Sequence, residues 1–567
     1  MSSNDTPWAT DYRHPGEWDR DFPPATMVDL FVASAHAHPQ ATLIDFLGRR
    51  YSYGETLDGA RRVACGLAAL GITKGDRVGL HLPNTPHYLA AYYGALMLGA
   101  TVVNFSPLYT AAELAHQVAD SGTRVMFTLS AAALLPIALE VLDRSPLERL
   151  VVGSVAGALP STKSLFYRLF KRGEIATRPN DPRITAFSTL IANDGACTTP
   201  SLDPLTDVAL IQYTGGTTGL PKGAMLTHQN LSANARQVEA IDPHAHDEDR
   251  ILGVLPLFHV FANTCVLNRT VINGGTIVML PRFDAGAVLA AITRTRATAL
   301  PGVPTMYQAL LDHPAIARTD FSSLRVCISG GAPLPPAVKA GFEAATGARL
   351  VEGYGLSETS GVVSANPYEG AQKPGTIGQP IPATRIKLID KEDPARPAPK
   401  GQPGELVIAG PQVMAGYWNR PESDDTSFTI DDAGTRWLRT GDVAEIDQSG
   451  FIRIVDRLKD MIAVGGFKVF PSQVEAVLLR HPAVREALVI GRPDAYAGER
   501  PRAYVTLAEH AETGGPTIMA WLNPQLGKHE RVDAVVVRES LPKTMIGKLS
   551  RKDLVIAVDA EEAAARG

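Results

Sequence analysis

Cysteine is scarce in this sequence, and the four residues stand far apart, at positions 65, 197, 265 and 327 of 567. No Cys-x-x-Cys pair occurs, so the spacing supports neither a disulfide framework nor a zinc site. An excess of one charge is also missing, because 54 basic residues balance 59 acidic ones and the formal net charge is -5. This balance argues against a nucleic-acid partner.

Long apolar runs are absent as well. The longest uncharged stretch, Tyr88–Phe105, is short for a membrane-spanning helix and contains Gly94 and Gly99. We interpret it as a buried helix that ends at Gly99, followed by a buried strand over Thr101–Phe105. The first residues lack the basic and apolar regions of a secretory signal. We therefore expect a soluble, cytoplasmic protein.

Elements of alternating type recur through the first four hundred residues. Helical spacing over Ala111–Ser121 follows a Thr110 cap with Glu113 three residues later, the pattern of a capping box. Strands are predicted at Arg77–Leu82, Arg124–Thr128, Val208–Tyr213, Thr276–Leu280 and Leu324–Ser329. This alternation indicates an α/β fold with largely parallel sheets. Short strands near Gly404–Ile408 and Gly450–Ile454 indicate a small β-rich layer.

A domain boundary is predicted at the charged run Asp456–Asp460. The length of the chain already argues for more than one core. The run divides the sequence into a large N-terminal domain, residues 1–456, and a small α+β C-terminal domain, residues 457–567, which has a normal domain size.

The segment 159–173 combines Leu165, Phe166, Leu169 and Phe170 with four basic residues and no acidic one. One interpretation is a short contact with a membrane, at the inner membrane surface. The other is a surface helix that packs on its own domain. We favour the second, because one or two helical turns supply little membrane affinity.

A phosphate-binding loop is predicted at 213–223, which reads YTGGTTGLPKG directly after a predicted strand. Its glycines let backbone N–H groups approach an anion, its threonines supply hydroxyls, and Lys222 supplies charge. It is not a Walker A loop, because Gly223 follows Lys222 where Ser or Thr would be needed. An ordinary P-loop NTPase or kinase is therefore excluded.

From this loop onward the sequence resembles the adenylate-forming superfamily, and most of all bacterial long-chain fatty-acid–CoA ligases. The resemblance covers nearly the whole chain in nine ordered blocks. The eight that follow the loop are PLFHVFA (256–262), SGGAPL (329–334), EGYGLSET (352–359), GELVIAGPQVMAGYW (404–418), RTGD (439–442), DRLKDMI (456–462), GGFKVFP (465–471) and LPKTMIGK (541–548).

The resemblance implies an ATP site and a Mg²⁺ ion held by Thr217 and Glu358. Tyr354 would stack on adenine, Asp442 would hold both ribose hydroxyls with support from Arg457, and Ser357 stands where the family usually has threonine. The full set of implied ATP-binding residues is Thr214, Gly215, Gly216, Thr217, Thr218, Gly219, Lys222, Gly330, Gly331, Ala332, Glu352, Gly353, Tyr354, Gly355, Ser357, Asp442, Arg457 and Lys548.

Lys548 is the implied catalytic residue of adenylate formation, because its ammonium could reach both the substrate carboxylate and the α-phosphate. Lys459 and Asp460 resemble the family hinge, about which the small domain swings between half-reactions. Gly465, Gly466 and Phe467 would then face coenzyme A, and Gly466 would let its pantetheine arm pass against bare backbone.

The acyl site is implied at two apolar segments. His259 and Phe261 lie in the first, where His259 counts with Thr217, Glu358 and Lys548 among the implied catalytic residues. Gly302, Val303 and Met306 lie in the second, and Gly331 lines the same space. Some relatives place a tryptophan gate before PLFHVFA, and none of the five tryptophans falls there. Residues 527–531 (GKHER) replace a common Tyr-Lys-x-Pro stretch, and we have no functional account of this change.

The expected function is that of an AMP-forming fatty-acid–CoA ligase with ATP and coenzyme A as co-substrates. Alternatives within the family are an aryl- or dicarboxylate-CoA ligase and a fatty-acyl-AMP ligase serving a separate carrier protein. Lys548 lies too near the end of the sequence for a fused carrier domain. A non-enzymatic lipid-binding or scaffold relative is the alternative from another class. The residues that argue against it are the retained Thr217, Glu358, Asp442, Arg457 and Lys548. A homodimer stays open.

Overall fold

A computed structural model of the protein describes residues 11–214, 221–244, 248–465, 467–494, 496–509, 511, 513–544 and 547–566. The chain divides into two compact units. The larger unit takes in Trp8–Arg385 and Gly410–Thr426, and the smaller takes in Ile386–Ala409 and the chain from Ser427 onward. The predicted division into residues 1–456 and 457–567 stays a prediction.

The strands run in chain order as follows. They are β1 Thr42–Phe46, β2 Arg49–Ser52, β3 Arg77–Leu80, β4 Thr101–Asn104, β5 Thr123–Leu129, β6 Arg149–Gly153, β7 Ile184–Ala186, β8 Val208–Thr214, β9 Lys222–Thr227, β10 Arg250–Gly253, β11 Thr276–Met279, β12 Ala299–Gly302, β13 Val326–Ser329, β14 Arg349–Tyr354, β15 Ser364–Ala365, β16 Gln379–Pro380, β17 Arg385–Ile389, β18 Gly404–Ala409, β19 Gly416–Tyr417, β20 Phe428–Ile430, β21 Arg436–Ile446, β22 Ile452–Arg457, β23 Ile462–Val464, β24 Phe467–Val469, β25 Val484–Asp494, β26 Gly498–Leu507 and β27 Val535–Val537.

The α-helices lie between and after these strands. They are α1 Met27–Ala37, α2 Tyr53–Ala69, α3 Pro86–Met97, α4 Ala111–Ser121, α5 Leu135–Arg144, α6 Val155–Ala158, α7 Ser161–Phe170, α8 Phe187–Leu190, α9 His228–Ala240, α10 Val260–Ala262, α11 Arg269–Asn273, α12 Ala285–Thr295, α13 Pro304–Leu311, α14 Pro336–Thr346, α15 Pro421–Ser427, α16 Pro471–Leu478, α17 Gly515–Leu522 and α18 Arg551–Arg566.

Two large sheets form the larger unit. The first has the order β16-β15-β14-β13-β12-β10-β11-β1-β2, and its strands from β14 to β1 are parallel. The second has the order β19-β9-β8-β4-β3-β5-β6-β7 and is parallel from β8 to β7. The core of the first sheet packs Val278, Leu300 and Leu350 against Tyr307 and Phe342. The predicted α/β fold with parallel sheets is confirmed.

Local signals placed these elements well. The capping box of α4 is present, since Thr110 accepts from the backbone N–H of Glu113 and Glu113 accepts from that of Thr110. The buried run forms α3 and β4, and Gly99 has the left-handed φ of 72° that a helix end favours. Among the described residues, no helix is both long and apolar enough to cross a membrane.

The smaller unit contains two five-stranded sheets. In one, β22 joins β21 beside the path β17-β18-β21-β20, which confirms the small β-rich layer. In the other, β27 joins β26 beside the path β24-β23-β26-β25. The core under the second sheet includes Val474, Val489, Val505 and Ile518.

Two expectations from the sequence are wrong. Cys65 and Cys197 form a disulfide, because α2 and the loop after α8 bring their Cα atoms to 5.3 Å. Their separation of 132 positions hides this pair from any argument based on local spacing. Segment 159–173 does contain a surface helix, α7, but its apolar side chains Leu165, Phe166, Leu169 and Phe170 are exposed, although we expected this helix to pack on its own domain.

Candidate active site

Four sequence blocks converge at one edge of the first sheet. The strands β10, β12, β13 and β14 are parallel, so their carboxyl ends lie at the same edge. The block 256–262 follows β10, 302–307 ends β12, 329–334 ends β13 and 352–359 ends β14. Ligands of open α/β sheets bind at such carboxyl ends.

The acyl and nucleotide segments adjoin at this edge. A Cβ added at Gly330 would lie 3.1 Å from the Phe261 ring, and one added at Gly361 would lie 3.0 Å from the Val260 carbonyl oxygen. The Gly330 N–H donates to the carbonyl of Gly302 at 3.1 Å. The structure therefore brings the segments of His259, Gly302 and Gly330 together.

His259 caps the short helix α10. Its Nδ1 accepts from the backbone N–H of Phe261 at 3.3 Å. Burial lowers the pKa of His259 to about 4. The imidazole is therefore neutral near pH 7, and His259 adds no charge to the loop that contains it.

The loop before His259 is held by a residue that the sequence did not single out. Asn84 donates from Nδ2 to the carbonyls of Gly253 and Leu255, at 3.1 and 2.8 Å. It also accepts from the Leu257 N–H at 2.8 Å. These bonds satisfy both ends of a buried amide, and they position the loop that carries His259.

Gly302, Val303 and Met306 occupy the end of β12 and the start of α13. Val303 is buried as the N-cap residue of α13, and the Met306 N–H donates to its carbonyl at 2.9 Å. A Cβ at Gly302 would lie 3.1 Å from the ring of Tyr307. Tyr307 itself is a core residue, since its hydroxyl donates to the carbonyls of Leu300 and Ile328.

Glu352 stabilises the turn that follows β13. Its Oε1 accepts from the Leu334 N–H at 3.1 Å, and burial raises its pKa to about 7. The turn contains Gly331 with a φ of 78°, which favours glycine, and then Ala332. Glu352 thus positions the 330–334 segment through a backbone hydrogen bond.

The turn after β14 carries Ser357 and Glu358. Gly353 and Tyr354 end the strand, and a Cβ at Gly355 would meet the Gly361 carbonyl oxygen at 2.1 Å, so only glycine fits there. A 3-10 turn, Ser357–Thr359, follows.

Tyr417 contacts Glu358 directly. Its hydroxyl donates to Glu358 Oε1 at 2.7 Å, and the Met414 N–H donates to the Glu358 carbonyl at 2.8 Å. The ammonium of Lys222 lies 5.1 Å from the centre of the Tyr417 ring. Tyr417 lies in the block 404–418, but it had no predicted role. It stands 59 positions from Glu358, and no local pattern signals their contact.

The predicted phosphate loop joins β8 to β9. Thr214 pairs with Lys222 in this antiparallel hairpin, so the loop leaves the carboxyl end of β8. Gly215, Gly216, Thr217, Thr218 and Gly219 lie outside the described residues. Trp418 stabilises the start of β9, since its backbone N–H donates to the Gly223 carbonyl at 2.8 Å.

In the smaller unit, Asp442 and Arg457 are partners. They face each other on β21 and β22, and Arg457 Nε lies 2.8 Å from Asp442 Oδ1. Asp442 is buried. Lys548 lies within electrostatic range of both. Partial burial lowers its pKa to about 8, Arg457 and Arg551 add to the decrease, and Asp442 and Asp460 oppose it.

The hinge residues lie in a 3-10 turn, Leu458–Asp460. Asp460 pairs with Arg551, whose Nη1 lies 3.1 Å from its Oδ2. The same guanidinium binds Glu475 at 2.6 Å. Arg551 begins α18 three residues after Lys548, so it links the segment of Lys548 to the hinge. No local pattern in the sequence marks Arg551.

The residues expected to face coenzyme A form the turn between β23 and β24. Gly465 has a φ of 57°, and its N–H donates to the Ala497 carbonyl at 2.8 Å. Gly466 lies outside the described residues. The exposed ring of Phe467 stacks on His529 with centroids 5.0 Å apart. His529 belongs to residues 527–531, the stretch for which the sequence suggested no function.

The larger unit has a parallel sheet with loops at its carboxyl edge, where open α/β sheets bind their ligands. The smaller unit carries Lys548 near an Asp–Arg pair. The chain belongs to the AMP-binding enzyme family. The family model matches residues 31–418, and the model of the AMP-binding enzyme C-terminal domain matches residues 473–548.

Similar proteins cover nearly the whole chain. A long-chain-fatty-acid–CoA ligase of Bacillus subtilis (strain 168) is 38% identical over 97% of this chain and 97% of its own length. A feruloyl-CoA synthase of an Amycolatopsis species is 36% identical over 92% of this chain and 97% of its own. The crystal structure of an anthranilate CoA ligase with anthranoyl-AMP superposes with a TM-score of 0.83 at 25% identity, covering 96% of this chain and 99% of that one.

Proposed function

We propose that the protein is an ATP-dependent acid–thiol ligase that converts a medium- or long-chain fatty acid to acyl-CoA through an acyl-AMP intermediate. The observation that carries this proposal is the contact between the Phe261 ring and the position of Gly330. It supports an apolar acyl wall directly beside the nucleotide segment. An acid bound there would have its carboxylate next to ATP, and such positioning is a large part of the catalysis.

In the first half-reaction, a carboxylate oxygen of the acid attacks the α-phosphorus of ATP, and the bond to the departing pyrophosphate breaks. Lys548 would bind the carboxylate and the α-phosphate through its ammonium, which stabilises the developing charge. Asp442, aligned by Arg457 at 2.8 Å, would accept hydrogen bonds from the ribose hydroxyls.

Glu358 fits a magnesium site. Mg²⁺ binds few protein oxygens and keeps water and phosphate for its other ligands. Among the described residues, no lysine or arginine pairs with the Glu358 carboxylate, and Tyr417 orients it by a hydrogen bond to Oε1. We propose Glu358 and Thr217 as the protein ligands. When bound, the ion would neutralise phosphate charge as pyrophosphate leaves.

In the second half-reaction, the thiol sulfur of coenzyme A attacks the acyl carbon. The thiol loses its proton, the acyl–phosphate bond breaks, and AMP leaves with its electrons. We propose that the hinge at Lys459 and Asp460 turns the C-terminal domain between the steps. The Asp460–Arg551 pair supports this role, because it ties the hinge to the segment that begins α18 beside Lys548. Gly465, Gly466 and Phe467 would then face the thiol.

The neutral environment of the acyl segments supports a fatty acid. His259 is uncharged near pH 7, and Phe261, Val303 and Met306 are apolar. A second carboxylate buried there without a partner would be strongly disfavoured. An aryl acid is the competing substrate, since a feruloyl-CoA synthase is nearly as similar to this chain as the fatty-acid ligase is.

A panel of acids tests the substrate assignment. CoA-dependent AMP release should be measured from acetate to oleate, with benzoate, coumarate and malonate beside them. Each added methylene contributes about 0.8 kcal/mol, so kcat/KM should rise about fourfold per carbon until the site is full. A preference for an aromatic acid or a diacid would contradict the fatty-acid assignment. AMP formation without any need for CoA would favour a fatty-acyl-AMP ligase.

A further inference from the structure

Helix α7 exposes its apolar side. The exposed fractions are 61% for Leu165, 60% for Phe166, 51% for Leu169 and 69% for Phe170. At 100° per residue these four side chains fall within an arc of about 140°. The partly buried Ser164 and Tyr167 lie on the other side of the helix. A contiguous exposed apolar patch with polar residues around it marks an interaction site.

Positive charge surrounds this patch. Lys163, Arg168, Lys171 and Arg172 are exposed on or beside the helix, and residues 159–173 contain no acidic side chain. Glu174 is the first acidic residue after the helix, and it pairs with Lys171 at 2.6 Å. Arg49 and Arg50 on the edge strand β2 are exposed as well.

The helix is anchored to the first sheet and is not a loose flap. The Lys163 ammonium donates to the Leu47 carbonyl at 2.8 Å, and the Tyr51 hydroxyl donates to the Ala158 carbonyl at 2.9 Å. Arg49 donates to the Gly157 carbonyl at 2.6 Å. The segment 155–172, with Arg49 and Arg50, therefore forms a fixed surface, here called the α7 platform.

We propose that the α7 platform docks on an anionic lipid bilayer. The apolar arc would enter the boundary between headgroups and acyl chains, where Phe and Leu side chains of amphipathic helices lie. The basic residues would contact acidic headgroups, and each such residue strengthens binding by about fivefold. Apolar area and positive charge both contribute to the affinity for the bilayer, so binding by this short helix does not depend on either alone.

Vesicle co-sedimentation of the full-length protein tests this inference. Wild-type protein should bind vesicles of phosphatidylcholine with about one-third phosphatidylglycerol, and it should bind pure phosphatidylcholine much more weakly. Phe166→Glu/Phe170→Glu should lower binding to the anionic vesicles at least tenfold. Arg168→Gln/Arg172→Gln should lower it about 25-fold and remove much of its salt dependence.

The matched control is Leu205→Glu, which changes another exposed apolar residue of the same unit, 58% exposed. It should bind vesicles as wild type does. All variants should keep the wild-type Tm and turnover of octanoate, a water-soluble acid, because the changed side chains are exposed.

Three results would overturn the proposal. The first is no binding of wild-type protein to anionic vesicles. The second is equal loss of binding in Leu205→Glu. The third is a wild-type dimer in light scattering that Phe166→Glu/Phe170→Glu converts to a monomer, since the patch would then bind a second copy of the chain.

Discussion

Lys548 should determine the alkaline limit of adenylate formation. Burial lowers its pKa from 10.5 to about 8, and Arg457 contributes to the decrease. The proposed role needs the ammonium, which loses its proton as the pH rises through this pKa. Adenylate formation should therefore be about half-maximal at pH 8 and roughly tenfold below its maximum at pH 9. A lysine with the ordinary pKa would stay protonated between pH 7 and 9, so the rate of adenylate formation would not change across this range.

The assay is pyrophosphate release in single turnovers with octanoate and ATP in the absence of coenzyme A. Lys548→Ala should slow this step by two to three orders of magnitude, since one well-placed charge contributes about 3–4 kcal/mol to a transition state. Supplied acyl-AMP should still be converted to the thioester.

Lys548→Arg is the control for the titration. A guanidinium stays charged throughout the range, so the residual rate of this variant should not decline between pH 7 and 9. An alkaline decline with the same midpoint in Lys548→Arg would refute the assignment of that midpoint to Lys548.

Three further predictions follow from the contacts. Tyr417→Phe removes the hydrogen-bond donor to Glu358. It should raise the Mg²⁺ concentration for half-maximal adenylation about tenfold and leave Tm unchanged. The same Mg²⁺ concentration in the variant as in wild type would contradict the role of this contact. Gly355→Ala should lower the free energy of unfolding by about 1–3 kcal/mol, whereas Gly59→Ala within α2, where an added Cβ meets only a 3.9 Å contact, should not. Asp460→Pro should spare adenylation and abolish thioester formation, and equal loss of both steps at unchanged Tm would exclude the hinge.

Local patterns predicted much of the fold. The Thr110 capping box and the Gly99 helix end depend on neighbouring residues, so the sequence contains the whole signal. The alternation of elements predicted parallel sheets, and the structure has them.

Contacts between distant residues could not be predicted in this way. The Tyr417–Glu358 hydrogen bond and the Cys65–Cys197 disulfide join residues 59 and 132 positions apart, and no local pattern marks either pair. The orientation of α7 was wrong for a different reason. Helical spacing groups Leu165 with Phe166, but the same spacing results whether that side faces the core or the solvent.

Product analysis tests the central claim most directly. With palmitate and Mg·ATP alone, mass spectrometry should detect palmitoyl-AMP and pyrophosphate bound to or released from the enzyme. Addition of coenzyme A should then convert the adenylate to palmitoyl-CoA and AMP in equal amounts. Formation of ADP and phosphate, or a palmitoyl-AMP that coenzyme A does not consume, would contradict the account.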